Sequence, residues 1–424
     1  MNLHRFSKRV TDSRILALLD SSRIHESIHG VALWLAAATK AAGRPDKCCR
    51  NALYHQDGRI TWLYPNSNTA ELISAWLDLA ELYNDPTFIE RAIAYADGLL
   101  NDPVKGLYRG SSREAWGLPW YWTDGGTYSG LYAMRMPYHF HRLYELTGNR
   151  AYLEICLTIG QTLLNRQLAS GFVSAAWDPA AGWIHEVRIG SRYVYAVGTF
   201  ATLWRITADP VYFRAYQKAL MALLKLQNAD GSLYQMLDPR TGKWLDASIK
   251  LHFYAYYFNG IAEAYATTED DALIECARRI ADHLCGVFYY QHTTPYCIGR
   301  VDEPADQMEA ASAVQDAAAG LFWIAEQTNE PVYRDAAVKL WMQAFIHQYP
   351  NDAEPGWAGA IIRGIRNDAT ETPGGVPENR KHLHYDPTVI ARSDLWFAIH
   401  HLTASKALLR HVAAANEAKA ATVS

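Results

Sequence analysis

The chain has 424 residues, half of them hydrophobic and a fifth charged, a balance that excludes a disordered or highly solvated protein. Its formal net charge of -4 argues against nucleic acid or an anionic membrane as partner, because both select a basic footprint. Aromatic residues make up 12% of the chain, with 14 Trp and 26 Tyr; this exceeds what a core needs and points to rings on a binding surface.

The first residues, Met1 to Phe6, carry no apolar signal core, and no apolar run reaches the roughly 18 residues of a membrane helix. The reading is a reducing, cytoplasmic setting. Six cysteines without CxxC, HxH or HExxH spacing make neither a disulfide framework nor a zinc site. No P-loop, G-x-G-x-x-G after a strand, G-x-S-x-G elbow or kinase set occurs. Neither a cofactor nor a metal is therefore expected.

Taken in chain order, a helix near 24–42 comes first, and five short turns follow. They read Leu82-Tyr83-Asn84-Asp85-Pro86-Thr87-Phe88, Leu146-Thr147-Gly148-Asn149-Arg150-Ala151-Tyr152, Ile206-Thr207-Ala208-Asp209-Pro210-Val211-Tyr212, Thr267-Thr268-Glu269-Asp270-Asp271-Ala272-Leu273 and Gln327-Thr328-Asn329-Glu330-Pro331-Val332-Tyr333. Their last residues recur about every 60 positions, the mark of a repeat architecture. Asn or Asp caps the next helix, Pro falls in its first turn in three of the five, and Thr or Gly closes the previous helix in four.

Helices before the turns are rich in Ala, Gly, Tyr and Phe and poor in charge, which places them inside; those after the turns are amphipathic. Inner helices are predicted at 66–83, 124–147, 190–207, 249–267, 308–327 and 386–403, and outer helices at 86–101, 149–167, 210–227, 271–287 and 331–348. The helix near 24–42 supplies the sixth outer member. The expectation is an all-α fold, one (α/α)6 toroid spanning 1–424 as a single domain. A seventh pair from 1–22 and 405–415, or an open solenoid, are the structural alternatives.

Long connectors at 102–123, 168–189, 228–248, 288–307 and 350–385 all fall at one mouth, rich in Trp and Tyr. Loops of this length tend to be functional, and flat rings suit the CH faces of sugars. Asp124 lies between Trp122 and Tyr128, where partial desolvation raises a carboxyl toward general-acid range; a plain helix cap is the alternative. His185 and Glu186 are candidates for proton transfer, and Arg188 and Arg192 for holding a carboxylate, with Tyr195 one turn on. At helical spacing Ser248, His252 and Tyr256 share a face with Asn259 nearby, and Glu309, Ser312, Gln315 and Asp316 give a second polar stripe. His382, His384, Tyr385, Asp386, Arg392 and Asp394 cluster before the closing helix, with Asp386-Pro387 as its cap. Trp244 completes the set of stacking rings.

The helix-pair repeat and aromatic loops resemble the (α/α)6-barrel carbohydrate-active enzymes. Asp230-Gly231-Ser232-Leu233-Tyr234 with Asp238-Pro239-Arg240-Thr241-Gly242, its weaker copy Asp178-Pro179-Ala180-Ala181-Gly182, and Ser191-Arg192-Tyr193-Val194-Tyr195-Ala196-Val197-Gly198 are similar to segments of the unsaturated glucuronyl and rhamnogalacturonyl hydrolases. That resemblance implies two Asp residues at successive inner-helix entrances, one of them Asp124, acting on an unsaturated uronic acid. The entrance before it reads Asn66-Ser67-Asn68-Thr69-Ala70-Glu71 instead of the family's His-Asp-x-Gly-Phe-like motif. The expectation is a glycoside hydrolase acting on a uronic-acid-containing oligo- or polysaccharide, with Asp124, His252, Tyr256 and Glu186 catalytic. Trp122, Tyr128, His185, Arg188, Arg192, Tyr195, Trp244, Asp316 and His384 would bind substrate. A polysaccharide lyase using Tyr, His and Arg, a sugar 2-epimerase, and a non-catalytic glycan-binding toroid are the alternatives.

Overall fold

The computed structural model describes residues 19–43, 51–55, 58–63, 69–101, 108–109, 116–119, 128–173, 176–178, 182–183, 194–233, 236–237, 244–246, 249–250, 254–291, 297–298, 308–310, 314–346, 348–353, 356–361, 364–366 and 389–423. Twelve helices run through them: α1 Ser21–Ala41, α2 Thr69–Tyr83, α3 Thr87–Asn101, α4 Gly130–Thr147, α5 Arg150–Arg166, α6 Val194–Thr207, α7 Pro210–Leu226, α8 Tyr254–Thr268, α9 Asp271–Gln291, α10 Val314–Thr328, α11 Pro331–Ile346 and α12 Leu395–Val423.

All five turns stop the inner helix in the same way, set by local sequence. The inner helix ends on a left-handed residue: Asn84 (φ 50°), Gly148 (68°), Ala208 (55°), Glu269 (50°) or Asn329 (58°). In four of them its N–H bonds the carbonyl four residues back, as from Ala208 to Trp204 at 2.7 Å, which is the single-bond left-handed helix stop. In four of the turns the next residue then caps the outer helix. Asp85, Asn149, Asp209 and Asp270 accept from the N–H two residues on, at 2.9, 3.1, 2.9 and 3.0 Å.

Burial sorts the helices as the patterning requires. In α7 the buried set is Tyr212, Ala215, Tyr216, Ala219, Leu220, Ala222, Leu223 and Leu226, the stripe of a helix with one wet face. In α10 nearly every residue from Val314 to Ala325 is buried, so it lies inside. Each inner helix touches the next: α2 to α4, α4 to α6, α6 to α8, α8 to α10, α10 to α12, and α12 back to α2. Outer helices α3, α5, α7, α9 and α11 each pair with a neighbouring inner one, and α1 packs on α12 as the sixth outer member. Six pairs thus close the ring among the described residues. Residues 405–415 continue α12 and add no seventh pair.

Two expectations are corrected. The inner helices begin later than predicted, and short strands precede them: β1 Asn51–His55, β2 Ile60–Leu63, β3 Tyr108–Arg109, β4 Trp116–Pro119, β5 Tyr128–Ser129, β6 Ala176–Asp178, β7 Gly182–Trp183, β8 Met236–Leu237, β9 Trp244–Asp246, β10 Ile249–Lys250, β11 Cys297–Ile298, β12 Met308–Ala310, β13 Gly364–Arg366 and β14 Val389–Asp394. These pair connector to connector, with β3–β7 forming one antiparallel ladder and β14 lying between the final inner helix and β1. The helical reading failed there because polar and aromatic residues that line a mouth satisfy a short ladder as well as a first helical turn. Glu309, Arg392 and Asp394 are accordingly strand residues. The face expected to join Ser248, His252 and Tyr256 falls partly outside the described residues, within which α8 starts at Tyr254.

Candidate functional site

The inner helices run from the loop mouth toward the short turns, so their first two turns converge at the mouth end of the ring axis. There α4 contributes Arg135, 2% exposed. Its guanidinium touches four of the other inner helices and feels a charge on the fifth. It pairs with Glu71 of α2 and lies 5.1 Å from the Tyr195 ring of α6, 5.4 Å from Tyr256 of α8 and 4.1 Å from Trp396 of α12. Asp316 of α10 adds a favourable charge. The rings pack on one another as well: Tyr195 meets Tyr256 edge-on at 5.3 Å, and Tyr256 stacks on Trp396 at 4.7 Å.

Local sequence explains how a cation comes to sit there. Pro137, inside α4, removes one backbone donor from the turn that carries Arg135, and the Met134 carbonyl on that turn accepts from Thr199 of α6. A buried guanidinium requires pairing, and Glu71 together with three ring faces supplies it. Among the described residues, Nε and Nη1 of Arg135 nevertheless have no hydrogen-bond partner, and neither does Glu71 Oε2.

Around this centre lie two histidines and an acid. Asp316 is fully buried; its Oδ2 accepts from Trp396 Nε1 at 2.7 Å, while its Oδ1 is 3.7 Å from His400 Nδ1, beyond hydrogen-bond reach. His400 stacks near Trp396 with centroids 4.1 Å apart. His139, one turn after Arg135, bonds Ser74 Oγ through Nδ1 at 2.7 Å. Burial, aided by the Arg135 charge, pushes both histidines well below their usual value, so both are neutral at pH 7. Burial also drives the Tyr195 phenol up to about 12; Asn259 Nδ2 donates to its hydroxyl at 3.4 Å.

Of the sequence-predicted site residues, Tyr195, Tyr256 and Asp316 meet around Arg135. Tyr128 and Trp244 lie in β5 and β9, and the backbone register sets Tyr128 opposite Trp177 and Trp177 opposite Trp183. Asp124, Trp122, His185, Glu186, Arg188, Arg192, His252 and His384 lie outside the described residues, as do Ser248, Ser312, His382, Tyr385 and Asp386. Sequence reasoning missed Arg135, Glu71, Trp396, His139 and His400. The available signal was a lone Arg and a lone Glu, each in the apolar opening of an inner helix, where an unpaired charge is not tolerated.

The family-like segments hold the frame together. Gly231 (φ 86°) lies where a Cβ would stand 2.0 Å from the Arg279 carbonyl, so only glycine fits. Asp230 Oδ1 accepts from the Ser232 N–H at 3.0 Å and from its hydroxyl at 2.6 Å, and Gln227 Nε2 bonds both the Gly231 and the Cys276 carbonyls. Asp178 pairs with Gly182 in the β6–β7 hairpin. Among the described residues no three His, Cys, Asp or Glu gather as metal ligands, and no helix is long and apolar enough to cross a membrane.

A closed ring of six helix pairs with charged and aromatic groups on its axis defines an (α/α)6-barrel. Solved structures share this fold. The fold is shared with an unsaturated glucuronyl hydrolase specific for heparin, at a TM-score of 0.64 and 16% identity over 92% of this chain and 97% of that one. It is shared with the unsaturated glucuronyl hydrolase of Streptococcus agalactiae, at 0.65 and 15% over 93% of each. A sugar epimerase from a ruminal bacterium matches at 0.66 and 8%, over 91% of this chain and 98% of that one. No family model and no curated protein matches the sequence.

Proposed function

We propose that the chain is a carbohydrate-active enzyme, and more narrowly a glycoside hydrolase acting on a uronic-acid-bearing oligosaccharide at the loop mouth of one (α/α)6 domain, 1–424. The observation that carries this reading is Arg135. A guanidinium on the barrel axis, walled by Tyr195, Tyr256 and Trp396 with two nitrogens unpartnered among the described residues, provides what an acidic sugar needs: a planar cation for its carboxylate and ring faces for its CH groups. Unsaturated glucuronyl hydrolases carry the same fold, which fits a substrate of this kind. Asp124, on the connector that leads into α4, is the proposed proton donor, and Glu186, His252 and the loop tryptophans are its proposed neighbours. The ultraviolet absorbance of the unsaturated uronate tests the reaction. A hydrolase consumes the chromophore and Asp124→Asn abolishes the loss; a gain in absorbance would instead mean β-elimination.

One observation favours a second chemistry, sugar 2-epimerisation. His139 and His400 both lie near Arg135; as a neutral imidazole either could take the proton from a sugar carbon, the other returning one that it draws from solvent. Isomerisation without loss of the glycosidic bond would identify that case.

A further inference from the structure

Below Arg135 the ring holds a second acid that the proposed chemistry does not use. Glu263 lies in the third turn of α8, and two glycines determine where its carboxyl goes. A Cβ on Gly198 of α6 would stand 2.7 Å from the Gly260 carbonyl and 3.0 Å from Glu263 Oε2, and a Cβ on Gly260 would stand 2.5 Å from the Val194 carbonyl. With no side chain at either position, α6 and α8 touch backbone to backbone, and the Glu263 carboxyl passes over Gly198 toward the interior.

The groups facing it are Arg135 and Tyr138 from α4 and Tyr195 and Arg205 from α6. Among the described residues α9 and α10, which also pack on α8, turn no charge toward it. Glu263, Asn259 and Tyr138 are each half-buried, and the Glu263 carboxyl and Tyr138 phenol are desolvated by the protein around them. Burial raises the Glu263 carboxyl to about 8, even though Arg135 and Arg205 both favour its charged form. An anion resting on Arg135 would favour the protonated form further.

We propose that Glu263 is a ligand-contacting hydrogen-bond donor that forms the floor of the axial site and bonds the acidic sugar held at Arg135. This rests on the reading of that site as the seat of an acidic sugar. The sugar is then gripped at two levels, by a cation for its carboxylate and by a neutral acid for an oxygen deeper in the ring.

Calorimetric titration with saturated D-glucuronate, which neither hydrolysis nor elimination consumes, tests the pairing. Wild type should bind with constant affinity below pH about 8 and lose roughly tenfold per pH unit above it, because binding then requires one proton on the protein. E263Q, a neutral donor of the same shape, should keep the plateau affinity and lose the alkaline fall. E263A should bind more weakly at every pH while retaining the wild-type circular dichroism spectrum. If wild type binds and E263Q shows the same alkaline fall, or E263A binds as wild type does, the inference is overturned and the acidic-sugar reading stands. If wild type binds no glucuronate at any pH, that reading fails and takes the inference with it.

Discussion

Replacing Glu71 by leucine tests whether the axial ion pair is as central to the ring as its geometry implies. Arg135 and Glu71 are both nearly inaccessible, at 2% and 4%, and removing one partner of a buried pair costs about 3–5 kcal/mol because the other charge stays buried. Arg135 retains the Asp316 charge and three ring faces after the change. The loss should therefore fall at the low end, about 3 kcal/mol. Removing both charges in E71L/R135M should return stability to within about 1 kcal/mol of wild type, since a well-packed apolar pair replaces a buried ionic one at little cost. Urea unfolding followed by tryptophan fluorescence and far-ultraviolet circular dichroism measures all four corners of the cycle. The reasoning is refuted if E71L unfolds at the wild-type midpoint, or if the double variant is less stable than both singles.

Gly231→Ala should cost about 2–5 kcal/mol, the sum of a left-handed backbone penalty and overpacking against the Arg279 carbonyl 2.0 Å away. Gly148→Ala, at φ 68° with nothing within 4 Å of its Cβ, should cost only about 1–2 kcal/mol; equal losses in urea titrations would contradict the packing argument. Asp209→Ala removes the cap on the Val211 N–H and should lower stability by about 1 kcal/mol, with Asp85→Ala matching it because the two turns share one geometry. Burial holds His401 near about 3 in the folded chain against about 6.5 unfolded. The unfolded state therefore takes up the proton first, and stability should fall by about 1.4 kcal/mol per pH unit for this histidine as pH drops below 6.5. Stability that stays flat over that range in buffer-matched melts would refute it.

The ring was legible in the sequence because its punctuation is local. Asp85, Asn149, Asp209 and Asp270 cap helices through bonds that span two residues, so five turns of similar chemistry could be aligned without knowing the fold. The helix starts at the mouth were not legible, because Ile249–Lys250 and Met308–Ala310 are ordered by strands far along the chain, β11 and β13. The axial centre was legible only in part. Tyr195, Tyr256 and Asp316 stand out as polar groups on apolar helices, whereas Arg135 and Glu71 look like ordinary helical charges until ring closure brings the two ends of 63 intervening residues back onto one axis. Glu263 was hidden for a related reason: its position depends on the contact of Gly198 with Gly260, a feature of two helices that neither helix shows alone.

The central claim is that an acidic sugar is processed at Arg135. Its most direct test is the absorbance of unsaturated uronyl disaccharides incubated with wild type and with R135M, whose fold is checked by circular dichroism. The account predicts loss of the chromophore with wild type and none with R135M, while a neutral disaccharide is left untouched by both. Equal turnover by the two proteins, or turnover of the neutral disaccharide alone, would contradict it.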